Sequence, residues 1–444
     1  MPGGLGERHV MLRMIFCLGI ITIGIFASFF GPFYALLFYL WNAYFRPEDW
    51  TYGPLIASLQ LSWTIGLFLV GSTALSMPKY PLNWRVGLMA LFILHTLVGV
   101  VTSEHVEFSW NAWIMFGKVV VIAYLIIVLA TTRERFRLVL MAIALSLGFE
   151  AAKQGWAQLI LNPGGVNNNT VSFLGDNNGV ALGTMMLVPL FGALAQTAET
   201  KAEALGHRFL AVGVFMRGLT TYSRGGFVAA VILGMVGLAR SRQRMRYALG
   251  VIVFVALAGT VMPQEFWDRI STVTASQEER DDSSAGRLHF WKVAVDMARA
   301  KPLTGVGFSG FNASYESYNT DEQFAGERAA HSVWFGLLGD LGFPGLFLFL
   351  SVWATGVWSC WRTSIACRKK TELKDVRLFA DALLLSLVVF AVAGSFLSVQ
   401  YGEMFWHFVG LSIALVPLAN EAAAPVVAPQ PARRVHSHPA LAGL

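Results

Sequence analysis

The sequence predicts an all-α polytopic membrane protein. Hydrophobic residues make up 55% of the 444 residues and charged residues only 14%, which is too little charge for the surface of a soluble protein of this length. Apolar runs of about 18 or more residues, long enough to cross a bilayer as a helix, recur along the chain. The sequence shows no internal repeat, so the inverted-repeat design of many secondary transporters finds no support.

Short polar or charged breaks separate the apolar runs, and together the runs predict about twelve crossings. The first run is interrupted by Gly31-Pro32, and it is too long for one crossing and somewhat short for two. The predicted spans are residues 12–45, 55–75, 85–101, 113–131, 136–160, 177–196, 208–222, 225–239, 246–262, 331–359, 377–396 and 404–420.

The spans divide the chain into four parts. Residues 1–262 are predicted to form an N-terminal transmembrane bundle, and residues 263–330 a long polar loop with an amphipathic helix. Residues 331–420 form the C-terminal transmembrane helices. The Ala/Pro-rich residues 421–444 have no hydrophobic period and predict a disordered tail.

Clusters of Lys and Arg set the expected orientation. They occur in the loops at 131–137, 239–246 and 362–377, which the positive-inside bias assigns to the cytoplasm. The Asn-rich loop 162–177 and the polar loop 263–330 then face the opposite side. The net charge of +6 comes from these scattered clusters, so it does not indicate a nucleic-acid partner.

The polar loop contains the predicted amphipathic helix. Ser283 or Ser284 is placed to cap it, and Lys301-Pro302 ends it after about Ala300. An apolar stripe lies on one face of this helix and charged residues lie on the other, so the helix suits a membrane interface. The predicted stripe consists of Leu288, Trp291, Val295 and Ala298.

Two arginines are candidates for anion binding. Arg287 lies four residues before Trp291, so both share one helical face, where the guanidinium can clamp a phosphate; a snorkelling Arg beside an interfacial aromatic is the alternative. Arg224, in Thr221–Gly226, lies between two apolar runs on the side where the positive-inside bias disfavours Arg. Its glycines suggest a helix break that brings backbone close to a ligand.

His331 opens a span directly after the polar loop. As a neutral imidazole it can accept a proton from a hydroxyl nucleophile near neutral pH, and nearby Arg charges favour the neutral form. The alternative is a helix-start His bonded to a loop carbonyl.

Other motifs have simpler interpretations. Gly305 and Gly307 fit GxGxxG, but no strand precedes them, so we predict a turn whose amides approach a ligand rather than a dinucleotide site. Asp176 and Asn177 begin a span, where such residues usually cap the helix. The His and acidic residues show no metal-ligand spacing, and the three cysteines indicate neither a disulfide framework nor a metal site.

The order of three C-terminal motifs, SRGG, GRLHFWKVAVDMARAKPLTGVGFSGF and HSVWFGLLGDLGFPGL, resembles the bacterial O-antigen ligase and polymerase superfamily. In the N-terminal half, FRPEDW and SFLGDNNGVAL resemble the branch that includes putative O-glycosylation ligases found beside exosortase systems. The resemblance implies a GT-C-like inner-membrane enzyme with its active site facing the periplasm, acting in lipopolysaccharide biosynthesis.

The resemblance also implies site residues and substrates. The family's periplasmic His falls on His331 and its essential arginines on Arg224 and Arg287, while Asp176 and Asn177 belong to the branch's Asp-Asn-Asn. The implied reaction transfers a glycan from undecaprenyl diphosphate, without a metal or other cofactor, and inverts the anomeric carbon. Trp291, Gly305 and Gly307 are further candidates for substrate binding.

Three functions follow as hypotheses. The first is a ligase whose acceptor is lipid A–core; the second uses the same chemistry on a protein or on another lipid-linked glycan, as a polymerase does. A single enlarged polar loop favours the ligase, whereas the N-terminal resemblance favours a protein acceptor. The third is a lipid-linked glycan flippase, which would need ionisable residues in mid-span and paired broken helices.

Overall fold

The computed structural model describes residues 3–51, 54–81, 83–163, 165–240, 245, 248–249, 252 and 282–421. These residues form helices and connecting loops and no β-strand, apart from one isolated bridge between Val171 and Gly175. The helices are α1 Gly3–Ser28, α2 Pro32–Phe45, α3 Pro47–Thr51, α4 Pro54–Ser58, α5 Leu61–Ser76, α6 Trp84–Val101, α7 Val106–Leu129, α8 Arg133–Leu161, α9 Asn177–Gln196, α10 Lys201–Leu219, α11 Arg224–Arg240, α12 Asp282–Ala300, α13 Phe311–Tyr318, α14 Val333–Ala366, α15 Lys374–Ala393 and α16 Glu403–Glu421.

Seven helical segments among the described residues are long and apolar enough to cross a membrane, which confirms the all-α polytopic class. The spans predicted at 136–160, 208–222 and 404–420 lie in α8, α10 and α16, which do not meet that standard, and 225–239 lies in the shorter α11. Most of span 246–262, residues 263–281 of the predicted polar loop and residues 422–444 of the tail lie outside the described residues. The total of twelve crossings therefore stays a prediction.

The Gly31-Pro32 break divides the first predicted span into α1 and α2. Gly31 has φ +144°, a conformation that favours glycine, and Pro32 occupies the first position of α2, where its missing N–H costs nothing. Side-chain caps begin several other helices: the oxygens of Asn83, Thr132, Asp176 and Thr200 each accept an amide of the following turn.

Helix α9 lies at the centre of the bundle, packed against α10 and α15, and α14 packs against α15, α12 and α6. Aromatic side chains fill the contact between α6, α7, α14 and α16: Trp406 is fully buried and contacts Phe92, Phe116 and Phe349 with ring centroids 5.2 to 6.0 Å apart. This core fixes the helix ends that carry the candidate site.

Helix α12 ends at Ala300, as predicted, and begins at residue 282. The predicted apolar stripe is wrong at Leu288, which is 43% exposed, but Ala298 is buried as predicted, and Phe290, Val293 and Met297 are buried beside it. These residues pack with Val306, Phe311, Tyr315 and Ala330 in a small separate core. The helix therefore rests on its own loop and on α14.

A kink in α14 explains the glycines at 305 and 307. Gly342 leaves helical geometry (φ +66°) and Pro344 has no N–H, so the carbonyls of Gly339 and Asp340 lose their helical donors. The amides of Val306 and Gly307 bond to those carbonyls at 2.9 and 3.0 Å. The glycine loop therefore satisfies the backbone of a broken helix, which a buried kink requires.

We expect Gly305→Ala to lower the melting temperature of the purified protein sharply. The alanine would keep φ +59°, and its Cβ would lie 2.2 Å from the carbonyl oxygen of Gly339. The conformation alone costs about 1–2 kcal/mol, and the clash forces the backbones apart. Gly326→Ala is the matched control, since it also has a positive φ (+90°) but open space around it. Equal losses in the two variants would contradict the docking argument.

Candidate functional site

Three helices begin around one short turn, Gly394–Phe396. The residue before α14 is Ser332, and Val333 Cγ2 lies 3.2 Å from the position of a Cβ on Gly394. In α11, a Cβ on Gly225 would lie 3.2 Å from the Phe396 ring. The start of α9 joins them through Ser223, whose hydroxyl donates to Asn178 Oδ1 at 2.8 Å. Because helix N-termini carry partial positive charge, their convergence favours an anionic ligand.

The two arginines lie on this turn. Arg224 is the first residue of α11, next to the glycine that packs on Phe396. The guanidinium of Arg287, from α12, lies 5.9 Å from the centroid of the Phe396 ring. Both side chains are half-buried. The structure thus brings the Arg287 guanidinium and the start of α11, 63 positions apart in the chain, to the same aromatic ring.

The Asp176-Asn177-Asn178 segment holds the start of α9 in place. Asp176 Oδ1 accepts the amide of Gly179 at 2.8 Å, the capping role expected from sequence. Asn177 donates to Asn168 Oδ1 at 2.7 Å, within the Asn-rich loop. Asn178 carries the link to Ser223. Asp176 also acts electrostatically on His331, so the cap lies within reach of the candidate base.

His331 is half-buried and has φ +46°, a left-handed conformation that is uncommon outside glycine. Its imidazole makes no hydrogen bond to the part of the chain that the structure describes, so the helix-start bond of the alternative interpretation is not seen there. Burial and the positive charges of Arg287 and Arg328 lower the pKa of His331 below 6.5, while Asp176 opposes them. The neutral, proton-accepting form therefore predominates at pH 7.

Trp291 sets the backbone next to His331. Its indole N–H donates to the carbonyl of Ala330 at 3.1 Å, and its ring stacks on Phe335 with centroids 4.8 Å apart. Both the indole N–H and one face of the Trp291 ring therefore contact other residues of the protein. This geometry suits a positioning residue more than the substrate contact predicted from sequence.

We expect Trp291→Phe to reduce kcat about five- to tenfold, the equivalent of one lost hydrogen bond of about 1 kcal/mol. The stack on Phe335 survives, so KM for the lipid-linked donor that the resemblance implies should change little. Trp113→Phe is the control, since Trp113 donates to the Thr96 hydroxyl elsewhere in the bundle. A raised donor KM with unchanged kcat would instead return Trp291 to substrate binding.

Gly305 and Gly307 do not present amides to a ligand. The amide of Gly305 bonds to Lys301 O, and those of Val306, Gly307 and Phe308 bond to carbonyls of α14 and α6. The prediction that these amides approach a ligand is therefore corrected, because they bond to carbonyls at the α14 kink and to neighbouring backbone. The sequence feature was genuine, because a positive φ at both positions demands glycine.

Sequence reasoning missed two buried polar residues that support the site. Asp340, fully buried in α14, accepts the amide of Phe311 at 2.9 Å and the hydroxyl of Tyr401 at 3.0 Å. A lone acid inside an apolar run was the available signal. Arg217, also fully buried, donates to Gln154 Oε1 at 2.8 Å and to the carbonyls of Asn167 and Asn169. It fixes the Asn-rich loop that leads to Asp176.

Within the described ranges, no group of three or more His, Cys, Asp or Glu side chains is arranged to hold a metal ion. The site instead combines two guanidinium groups, three helix N-termini and one neutral imidazole. Such a set can bind a diphosphate, stabilise charge on it and accept a proton from a second reactant.

The fold is that of a multi-pass membrane protein, and its candidate site places arginines and helix N-termini near a half-buried histidine. Residues 209–350, which include Arg224, Arg287 and His331, match the family model described as O-Antigen ligase, and this match supports the O-antigen ligase superfamily that the sequence resembles. Residues 11–191 match a family of unknown function. No curated protein matches the chain. The match implies a glycosyltransferase-like ligase or polymerase activity.

Proposed function

We propose that the chain is an O-antigen ligase that transfers a glycan from undecaprenyl diphosphate to a hydroxyl of lipid A–core at the periplasmic face of the bacterial inner membrane. The observation that carries the proposal is the convergence of Arg224, Arg287 and His331 around the turn Gly394–Phe396, inside the matched region.

The roles follow from charge and proton affinity. Arg224 and Arg287 hold the diphosphate and offset the negative charge that grows on it as it leaves. His331, kept neutral by burial and by Arg287, accepts the proton of the acceptor hydroxyl. The hydroxyl oxygen bonds to the anomeric carbon while the carbon–oxygen bond to the diphosphate breaks, and its electron pair goes to the diphosphate. Direct displacement inverts that carbon.

Asp176 adjusts the base. Its carboxylate raises the pKa of His331 while burial and the arginines lower it. The nearby negative charge of Asp176 therefore stabilises the imidazolium that forms during transfer, while the resting imidazole stays neutral. Asp176 thereby joins the start of α9 to the chemistry through electrostatics as well as through its cap.

Purified protein supplied with undecaprenyl-diphosphate-linked glycan and lipid A–core tests the proposal. We expect glycosylated lipid as the product, with the released undecaprenyl diphosphate in equal amount. A glycosylated protein or an elongated lipid-linked glycan, with no modified lipid A–core, would move the acceptor to the alternatives of the same superfamily. Movement of the donor across vesicle membranes without transfer would instead identify a flippase and overturn the proposal.

A further inference from the structure

A second polar site lies inside the bundle, on a different face of α9 from the arginines. It is a cavity of about 600 Å³ between α2, α5, α7, α9 and α16. Apolar residues such as Leu182 and Met186 line part of it, but Asn42, Ser62, Lys118 and Glu403 also face it. Polar groups in such an apolar bundle are costly, and they usually mark a ligand path or site.

The cavity contains hydrogen-bond acceptors without donors. Asn42 is 1% exposed, and its amide nitrogen donates to Ser62 Oγ at 3.0 Å, which leaves its Oδ1 without a partner among the described residues. Glu403 Oε2 is likewise buried and unpartnered there. Unsatisfied buried acceptors cost about 1–3 kcal/mol each, so the cavity is suited to a ligand that brings hydroxyl donors.

Four charged side chains line the cavity: Arg46, Glu48, Lys118 and Glu403. Their charges cancel, which disfavours an anionic ligand. Within the described part of the chain, none of them forms an ion pair with another. Arg46 instead lies over the Phe173 ring at 5.7 Å, and Lys118 lies over the Trp63 ring at 4.2 Å. Each cation thus has an aromatic ring as its partner, so a neutral ligand can enter without breaking an ion pair.

Aromatic rings complete the lining. Tyr39, Phe116, Phe173 and Tyr401 all face the cavity. Rings bind the apolar C–H faces of a sugar, while carboxylate and amide oxygens accept its hydroxyls. The combination of aromatic walls, unpartnered acceptors and zero net charge is that of a site for a sugar ring.

The position relative to the arginines indicates which sugar. On α9, Asn178 and Ala181 face α11, through Ser223 and Gly226, where the leaving diphosphate is proposed to bind. Gly179, Leu182 and Gly183 face the cavity, one helical step (about 100°) around the same turns. Leu174 lines the cavity as well, two residues before Asp176, which acts on His331.

We infer that this cavity binds the terminal sugar of the acceptor, with Asn42 and Glu403 accepting its hydroxyls. The inference rests on the proposed glycosyl transfer, because an inverting displacement needs the attacking hydroxyl on the side opposite the leaving diphosphate. The turn at FRPEDW then acquires a role, since it supplies Arg46 and Glu48 to the walls.

The first test is kinetic. Glu403→Gln keeps the shape and weakens the acceptor, and we expect it to raise KM for lipid A–core at least about tenfold, the equivalent of one lost charge-assisted hydrogen bond. The donor KM should not change. The exposed Glu107→Gln serves as the control. An unchanged acceptor KM in Glu403→Gln would overturn the inference, and so would a rise confined to the donor KM.

A second test is independent of turnover and covers the case in which Glu403→Gln does not fold. Ser62→Cys places a thiol at the cavity, and Ser72→Cys places one elsewhere on α5. The native Cys17, Cys360 and Cys367 are buried, so they give a low labelling background. The probe is the core oligosaccharide released from lipid A–core by mild acid, and labelling uses a charged methanethiosulfonate reagent.

We expect the oligosaccharide to slow labelling of the Ser62→Cys thiol at least about fivefold, with no effect on Ser72→Cys. Absence of protection, or protection only by the undecaprenyl-linked donor, would overturn the inference. The proposed reaction would still stand in that case if the wild-type protein transfers glycan. If the oligosaccharide protects the thiol but the protein transfers no glycan to any acceptor, the sugar cavity would stand and the proposed reaction would fail.

Discussion

His331→Ala is expected to reduce the rate of glycan transfer about 10²- to 10⁴-fold, the usual contribution of a positioned general base. The donor KM should change little, because the two arginines and the helix ends that hold the diphosphate remain. The measurement is kcat and both KM values of the purified protein with lipid-linked glycan and acceptor. Unchanged kcat would remove His331 from the mechanism and leave it as a residue of the loop that leads into α14.

The pH profile distinguishes a base from a residue that only shapes the site. Burial, Arg287 and Arg328 lower the pKa of His331 below 6.5. We therefore expect kcat/KM to be retained at pH 7 and to fall only when the pH reaches the lowered pKa of His331. Arg287→Gln removes a positive neighbour, so the acid limb should move to higher pH. Asp176→Asn removes the neighbour that raises the pKa, so the limb should move to lower pH.

Opposite shifts in those two variants are difficult to explain by general damage to the fold, which would lower the rate without moving the limb. Glu107→Gln, at an exposed position far along the chain from these groups, should leave the limb in place. Shifts in the same direction in Arg287→Gln and Asp176→Asn would show that another group controls the profile.

The sequence predicted the fold class and the site's main residues for identifiable reasons. Apolar runs determine helices directly, because a bilayer leaves few alternatives for the backbone, and caps such as Asp176 act within one turn. Arg224 was noticeable because it opposed the charge bias. Each of these signals is local, so it can be interpreted without knowing which helices are neighbours.

What the sequence could not give depends on contacts between distant segments. The amides of Val306 and Gly307 satisfy carbonyls of α14 that lie 33 residues later in the chain. Without knowledge of that contact, the sequence left the amides of this loop free to face a ligand. The buried face of α12 is set by the small core around Phe311 and Tyr315, which moved the stripe away from Leu288. The contacts of Phe396 with Arg287 and with the start of α11 cannot be predicted from the residues around Phe396 in the sequence.

Arg287→Lys is the second variant with a large expected effect, about 10²- to 10³-fold in kcat. Lysine keeps the positive charge but offers a point charge in place of the planar fork that binds two phosphate oxygens at once. The Arg287 guanidinium also lies 5.9 Å from the Phe396 ring centroid, a contact that helps to orient the fork. Transfer rates with Arg, Lys and Gln at position 287 test the distinction.

If geometry matters, Lys should resemble Gln; if only charge matters, Lys should resemble the wild type. Phe396→Leu separates orientation from binding, because it removes the ring and leaves the guanidinium, and we expect an intermediate loss. The Arg224 series should follow the same order, since Arg224 begins the helix that packs on the same turn through Gly225. Arg299→Lys is the control, because Arg299 is exposed at the far end of α12 and pairs only loosely with Asp296 at 3.5 Å. Full activity of both Arg224→Lys and Arg287→Lys would mean that the leaving diphosphate is stabilised by net charge and helix ends alone.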